Sequence, residues 1–345
     1  MARTNELTNS GCFLLHSCCI PVKGYCRSIM YDLNRGSFSY IPNDMFNLLN
    51  TWNGYSKEDV LDAYEPEDRA VLLEYFDYLE KEEFIFYIDS KEEMNLFPKM
   101  DLSFDYPALI SNAILQFENE ISYDLGLVIQ QLNELGCRDA QLVFYGSTKL
   151  EFILDCLKEF QTSSFKTLEL VLPHSDCTSF EGLSELSEIH KRIRRFFVFE
   201  SDRSESFMTN KNLAEVIYSE EQVEYVMYHV IDTTELFRVT PDLFFEAQQY
   251  NPYLNKKMCI DKNGNIRNAP NSERIFGHVS KISLPLIIRD LEFRNLWTIG
   301  KDEIKLCRDC EYRYMCTDCR IPVNVEGEWT YDQECGYDVI NGFWR

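Results

Sequence analysis

NAILQFENEISYDLGLVIQQLNELGCRDAQLVFY, residues 112–145, is the stretch whose pattern sets the fold. Ala113–Phe117 is a short apolar run bounded by polar residues, which reads as a strand. Tyr123–Leu135 repeats its apolar residues at helical spacing, and Gly136 stops the helix. Ala140–Tyr145 is a second strand. A strand, a helix and a strand in this order imply a parallel pair joined by a crossover. The alternation continues outward. Strands are predicted at Leu168–Leu172, Arg195–Phe199 and Tyr225–Val230, with helices at Lys149–Phe160, Phe180–Ile189 and Asn212–Ile217. Five or six units fall short of a closed eight-strand barrel. The expected class is therefore α/β with a partial (β/α) barrel, the alternative being a doubly wound open sheet.

Two different patterns flank this core. Residues 1–95 read as a small unit with an apolar run at Cys12–His16, strands at Arg27–Leu33 and Ser37–Ile41 around an Asn34–Gly36 turn, and a closing strand at Phe84–Ile88. Pro42-Asn43-Asp44 opens one helix. Glu65-Pro66-Glu67-Asp68 opens a second, with acids in its first turn as the helix dipole favours. The acidic stretch Asp89–Glu93 is the expected hinge into a middle domain, 96–250. From 251 to 345 the chain is turn-rich and cysteine-rich, and Asp261-Lys262-Asn263-Gly264-Asn265 is a strong hairpin turn.

The charge balance is lopsided: 34 basic against 57 acidic side chains, a net charge of −23. Such a surface repels phosphate backbones, so no nucleic-acid partner is expected. It attracts a Lys-rich peptide. The opening MARTNELTNS has no basic start followed by an apolar run, and no stretch approaches ~20 uninterrupted apolar residues, so neither an export signal nor a membrane span is expected. Thirteen cysteines without an export signal point to a reducing, cytoplasmic setting, where thiols hold metals or pack in cores.

Five of those cysteines crowd the tail. Cys307-Arg-Asp-Cys310 and Cys316-Thr-Asp-Cys319 are two Cys-x-x-Cys pairs five residues apart, and Cys335 follows. Each pair directs two sulfurs at one centre, and thiolates suit zinc or iron–sulfur clusters rather than magnesium or calcium. By spacing alone a Cys₄ zinc site and a [4Fe–4S] cluster are both open.

This arrangement resembles the SPASM domain, the auxiliary cluster domain of peptide-modifying radical SAM enzymes. MCIDKNGNIRNAP (258–270) is similar to its lead-in. The segments IPVKGYCRSIMYDLNRGSFSYIPND, QLNELGC and KDEIKLCRDCEYRYMCTDCR resemble the maturase that works beside an ATP-grasp ligase in "grasp-with-spasm" ribosomal-peptide systems. The resemblance runs from about Phe13 to Cys335. It implies a role in maturing a ribosomally made peptide by binding its leader and presenting the precursor to an ATP-grasp ligase; the alternatives are a radical SAM-type or metal-dependent enzyme that modifies the peptide, and a zinc-stabilised structural protein. It also implies that Cys307, Cys310, Cys316 and Cys335 hold one cluster, with Cys319 and Cys259 contributing to a second. Ala269 stands where a further upstream cysteine is expected, so one metal centre remains, a [4Fe–4S] cluster or zinc.

The middle domain departs from the family. A radical SAM site needs Cys-x-x-x-Cys-x-x-Cys just after the first barrel strand, whereas this chain reads ENEISYDLG there. Cys137, Cys156 and Cys177 are isolated, and Cys12, Cys18, Cys19 and Cys26 lack the spacing. S-adenosylmethionine (SAM) is accordingly not an expected cofactor, and the barrel reads as one without its catalytic cluster.

The N-terminal unit resembles the winged-helix-like domains that bind leader peptides in these pathways by strand addition. The expected edge is Ser37–Ile41 and the expected groove helix Asp68–Leu79. Phe38, Tyr40, Val71 and Tyr75 would offer the pocket, and Glu74 and Asp77 would pair with leader lysines. Other features are weaker. His16, His174, His190, His229 and His278 form no ligand pattern. His174-Ser175-Asp176-Cys177 is adjacency rather than triad geometry. Gly146-Ser147 lacks the glycines of a phosphate loop, and the basic run His190–Arg195 reads as a solvated helix end.

Overall fold

The computed structural model describes residues 11–345 apart from 147, 212, 229, 230, 235 and 236. The N-terminal unit contains β1 (Cys12–Leu15), β2 (Cys19–Lys23), β3 (Ser28–Asp32), β4 (Ser37–Ile41), α1 (Asn43–Trp52), α2 (Lys57–Ala63), α3 (Arg69–Lys81) and β5 (Ile85–Ile88). β1 pairs antiparallel with β5, and β2, β3 and β4 form a separate antiparallel meander. The meander packs on both faces, with β3 buried along its whole length, which its side-chain alternation makes possible. Met30 and Ile41 pack into a core with Leu48, Leu72, Phe76 and Leu79 of the helices. Val22, Ile29 and Tyr31 pack the other way, against Phe244, Tyr312 and Met315. The expected hinge at Asp89–Glu93 runs into a short 3₁₀ turn, Lys91–Leu96. Lys91 lies 3.7 Å above the Tyr55 ring and Met94 fills the space beside Gly54, so this turn belongs to the N-terminal unit.

The middle of the chain supplies β6 (Asn112–Glu118), α4 (Leu125–Glu134), β7 (Asp139–Tyr145), α5 (Leu150–Glu159), β8 (Thr167–Pro173), α6 (Phe180–Ile189), β9 (Ile193–Phe199), β10 (Glu205–Met208), β11 (Glu215–Tyr218), α7 (Val223–Tyr228) and α8 (Pro241–Gln249). β6, β7, β8, β9 and β11 lie side by side in sequential order, all parallel. Leu115, Leu142, Leu170 and Phe196 point to one face and meet Ile129, Ile153 and Leu183 of α4, α5 and α6. Val143 and Val171 point to the opposite face, under Val223 of α7. Among the described residues the sheet is open and does not close into a barrel.

Two expectations are corrected here. Tyr225–Val230 is not a strand: residues 225–228 belong to α7, and 229 and 230 lie outside the described residues. Asn212–Ile217 is not a helix: Glu215–Ile217 belong to β11, which pairs with β9, and 212 lies outside the described residues. Sheet pairing overrides the helical spacing of Leu213, Val216 and Ile217.

The tail supplies β12 (Lys257–Ile260), β13 (Asn265–Arg267), β14 (Gly277–His278), α9 (Leu284–Arg289), α10 (Leu291–Arg294), β15 (Val323–Val325), β16 (Glu328–Thr330), β17 (Tyr337–Asp338) and β18 (Phe343–Trp344). β12 pairs parallel with β6, and β13 and β14 extend the same sheet to nine strands. The Asp261–Asn265 turn joins β12 to β13, with Gly264 at φ +82, in the left-handed region that favours glycine. Burial would raise the Asp261 carboxyl, but Asn265, Arg267 and the Asn263 amide bond to it and hold it below its ordinary range. A carboxylate with a lowered folded pKa stabilises above its unfolded pKa and loses that effect as pH falls through the folded one. The stability gap between wild type and Asp261→Asn should therefore narrow below about pH 4, read from urea midpoints across pH. A gap constant with pH contradicts this.

Candidate metal centre

The tail cysteines sit on a loop anchored from behind. Cys307–Asp309 forms a 3₁₀ turn entered through Leu306 at φ 65, and the Cys310 amide donates to the Cys307 carbonyl at 3.0 Å. Arg313 donates to the Cys310 carbonyl and, across the interface, to that of Lys23. Tyr31 donates to the Glu311 carbonyl at 2.9 Å. Glu311 itself is fully buried. It accepts from Arg27 Nε at 2.9 Å and from the Tyr337 hydroxyl at 2.5 Å. The β2–β3 hairpin thus holds the cysteine loop in place.

Cys307, Cys310, Cys316 and Cys335 line one cavity of about 300 Å³, together with Lys301, Arg320 and Tyr331. The Tyr337 amide donates to Cys335 Sγ at 3.4 Å. Cys319 does not line the cavity; its Sγ faces the Thr317 carbonyl. Cys259 is buried within β12, in the central sheet. Of the six predicted ligands, four therefore share one space and two do not.

Burial raises the thiols of Cys307 and Cys310, and pushes those of Cys316 and Cys319 up to about 12; Lys301 opposes this at Cys307, Cys316 and Cys319. Metal binding then proceeds with release of protons. Among the described residues, the one set of three ligand atoms all within 4.8 Å of one another is Cys18, Cys19 and Asp32. Asp32 is already engaged by the amides of Asn34 and Arg35 and by the Arg35 guanidinium. Among the described residues no three tail thiols lie mutually within 4.8 Å, whereas the Zn–S bonds of ~2.3 Å in a tetrahedral zinc site place sulfurs about 3.8 Å apart. An all-sulfur donor set around a wider cavity fits a polynuclear iron–sulfur cluster, in which each thiolate binds a different iron.

The end of β6, where a SAM-binding triplet would sit, carries Glu118, paired with Lys262 at 2.8 Å. Cys137 and Cys156 are buried on the helix-covered face of the sheet. Cys177 lies apart from both, its Sγ facing the Thr148 carbonyl. Among the described residues no three thiols gather there.

The predicted peptide-binding residues fall into two groups. Phe38 and Tyr40 face the tail: both rings lie 6.3 Å from Tyr312, the Tyr40 and Tyr312 hydroxyls are 2.7 Å apart, and Arg27 covers the Tyr40 ring at 3.8 Å. Val71, Glu74, Tyr75 and Asp77 lie on α3, whose Leu72 and Phe76 pack in the core on the meander's opposite side. Val71, Glu74 and Asp77 are exposed, Tyr75 is half-buried, and Asp77 is 4.0 Å from Lys57.

The remaining sequence features are dispersed. His174 pairs with Ser201, while Ser175 meets Cys177. Arg195 bridges Glu169 and Glu215. Ser147 and His229 lie outside the described residues. What the sequence did not single out is the cavity wall of Lys301, Arg320 and Tyr331, with Asp318 bonded to Lys301 and Arg320. Its one sequence signal is a run of basic and acidic residues threaded between the cysteines.

The sequence matches no family model and no curated protein. Among solved structures, SuiB of Streptococcus suis bound to S-adenosylmethionine overlaps 88% of this chain and 94% of its own, at 10% identity and a TM-score of 0.34. SuiB bound to the precursor peptide SuiA gives the same coverage at 9% identity and a TM-score of 0.31. E. coli MccB with MccA-N7isoASN overlaps 55% of this chain and 62% of its own, at 10% identity and a TM-score of 0.19. At TM-scores this low the superpositions carry no functional inference. No helix among the described residues is long and apolar enough to cross a membrane.

Proposed function

We propose that this chain matures a ribosomally made peptide by capturing its leader along the outer edge of β4 and presenting the precursor to a partner ATP-grasp ligase. The tail carries one [4Fe–4S] cluster on Cys307, Cys310, Cys316 and Cys335. The observation that carries the reading is that the β4 edge and the four-thiol loop are parts of one packed unit, joined through Tyr40, Tyr312, Arg27 and Glu311. The sequence resemblance supports the choice of ligase partner.

Edge chemistry favours β4 over β2. β2 carries Pro21 at its centre, which removes a backbone donor and suits a strand protected from pairing. β4 has no proline and, among the described residues, pairs with β3 alone. A peptide strand added there turns alternate side chains to opposite faces. One set meets Phe38 and Tyr40, the other meets the α3 side with Val71, Glu74, Tyr75 and Asp77. The net charge of −23 draws in a Lys-rich leader.

Alternate β4 amides point away from β3. Of the neighbouring variants Ser39→Pro and Tyr40→Pro, the one that removes an outward amide should weaken leader binding about tenfold in a folded protein, by anisotropy with labelled precursor. Undiminished binding in every folded variant discards the edge. Anaerobic incubation with SAM, reductant and precursor should yield no 5′-deoxyadenosine; its formation contradicts a presenting role without SAM cleavage.

A further inference from the structure

Three charged side chains are buried together in and behind the wall of the four-thiol cavity. Lys301 Nζ bonds to Asp318 Oδ2 at 2.9 Å and to the Tyr331 hydroxyl at 2.8 Å, with the two charged side chains 3% and 1% exposed. Arg320, 7% exposed, reaches the same carboxylate through Nε at 2.9 Å and a terminal nitrogen at 2.7 Å. Its guanidinium also lies 4.1 Å from the centre of the Tyr331 ring. One carboxylate serves two cations, so the group carries a net charge of +1. Of the other charged groups lining the cavity, Lys305 pairs with Glu328, Arg313 with Asp302, and Arg345 with Glu334 and Asp338; the Asp332 side chain is on an exposed residue, where water screens its charge.

An unmatched buried charge carries a heavy desolvation penalty unless an opposite charge faces it. Lys301 and Arg320 line the same cavity as Cys307, Cys310, Cys316 and Cys335. Four thiolates around a [4Fe–4S]²⁺ core sum to −2, and one-electron reduction makes that −3. We infer that Lys301 and Arg320 are positioning residues that supply the fixed counter-charge of this centre, favouring an anionic occupant and raising its reduction potential. The inference rests on the cluster assignment above and deepens it. A purely structural role, bracing Tyr331 beside the β15–β16 hairpin, predicts no effect on potential.

The test uses full-length protein reconstituted anaerobically with iron and sulfide, its midpoint read by EPR-monitored titration. Lys301→Met should stabilise the oxidised over the reduced state about tenfold, a fall of about 59 mV for one electron. Lys301→Arg, which keeps the charge, should stay at the wild-type value. Asp318→Asn raises the buried charge by one and should shift the midpoint upward, so it decides the matter even where Lys301→Met fails to fold. Cluster-bearing Lys301→Met or Asp318→Asn at the wild-type midpoint overturns the counter-charge role while leaving the cluster standing. Wild-type protein that takes up no iron overturns the cluster assignment, and this role with it.

Discussion

Replacing Cys316 with serine should strip the tail of its cluster, while Cys259→Ser and Cys319→Ser keep theirs. Cys316 lines the cavity with Cys307, Cys310 and Cys335, whereas Cys319 and Cys259 do not. A serine hydroxyl is a poor ligand for iron, and three thiolates leave one corner of the cluster open to water and loss. Iron in anaerobically purified Cys316→Ser should drop from about four per chain to below about one. The two control variants should stay near wild type. The consequence reaches further than colour. Metal binding is folding energy for a small loop-rich segment, and β15–β18 are strands of only two or three residues each. Cys316→Ser should also unfold at lower temperature and expose the tail to protease first. Equal iron in all four proteins would place the ligands elsewhere.

Arg27→Met should destabilise the whole protein by about 3 kcal/mol, because it leaves the Glu311 carboxylate buried without its cation. Glu311 is 0% exposed, and Arg27 is its ion-pair partner at 2.9 Å. Tyr337 would still donate to Glu311, so the loss is partial rather than total. Arg27 also covers the Tyr40 ring and donates to the Tyr312 hydroxyl at 2.9 Å. The variant therefore loosens the β2–β3 hairpin from the cysteine loop, and leader affinity and cluster retention should fall together. Double replacement, Arg27→Met with Glu311→Gln, removes both charges and should recover part of the stability. Urea unfolding of the four proteins gives the coupling. A coupling near zero would mean that the pair does not join the two units.

Much of this was legible in the sequence, and the failures have physical causes. The strand–helix–strand of 112–145 is read within about two residues because Gly136 and the apolar periods agree with the fold. β11 was hidden: Leu213, Val216 and Ile217 have helical spacing, and only pairing with Arg195–Val198 of β9 makes residues 215–218 a strand. α7 was hidden by the opposite bias, since Tyr225, Val226 and Tyr228 favour strands. β10 is an edge strand with all four residues exposed, so it carries no apolar alternation to read. The four cavity-lining thiols follow the spacing, aided by the resemblance. Lys301, Asp318, Arg320 and Tyr331 span 31 residues of chain, and only the folded tail brings them together. The peptide edge was read as a single groove, whereas Phe38 and Tyr40 face the opposite side of the meander from α3, a division that one-dimensional alternation hints at but does not assign.

The most direct test of the account is a joint count of iron, acid-labile sulfide and zinc in wild-type protein purified without oxygen. One [4Fe–4S] cluster predicts a brown protein with about four irons and about four sulfides per chain. A colourless protein holding about one zinc, or no metal at all, would contradict it.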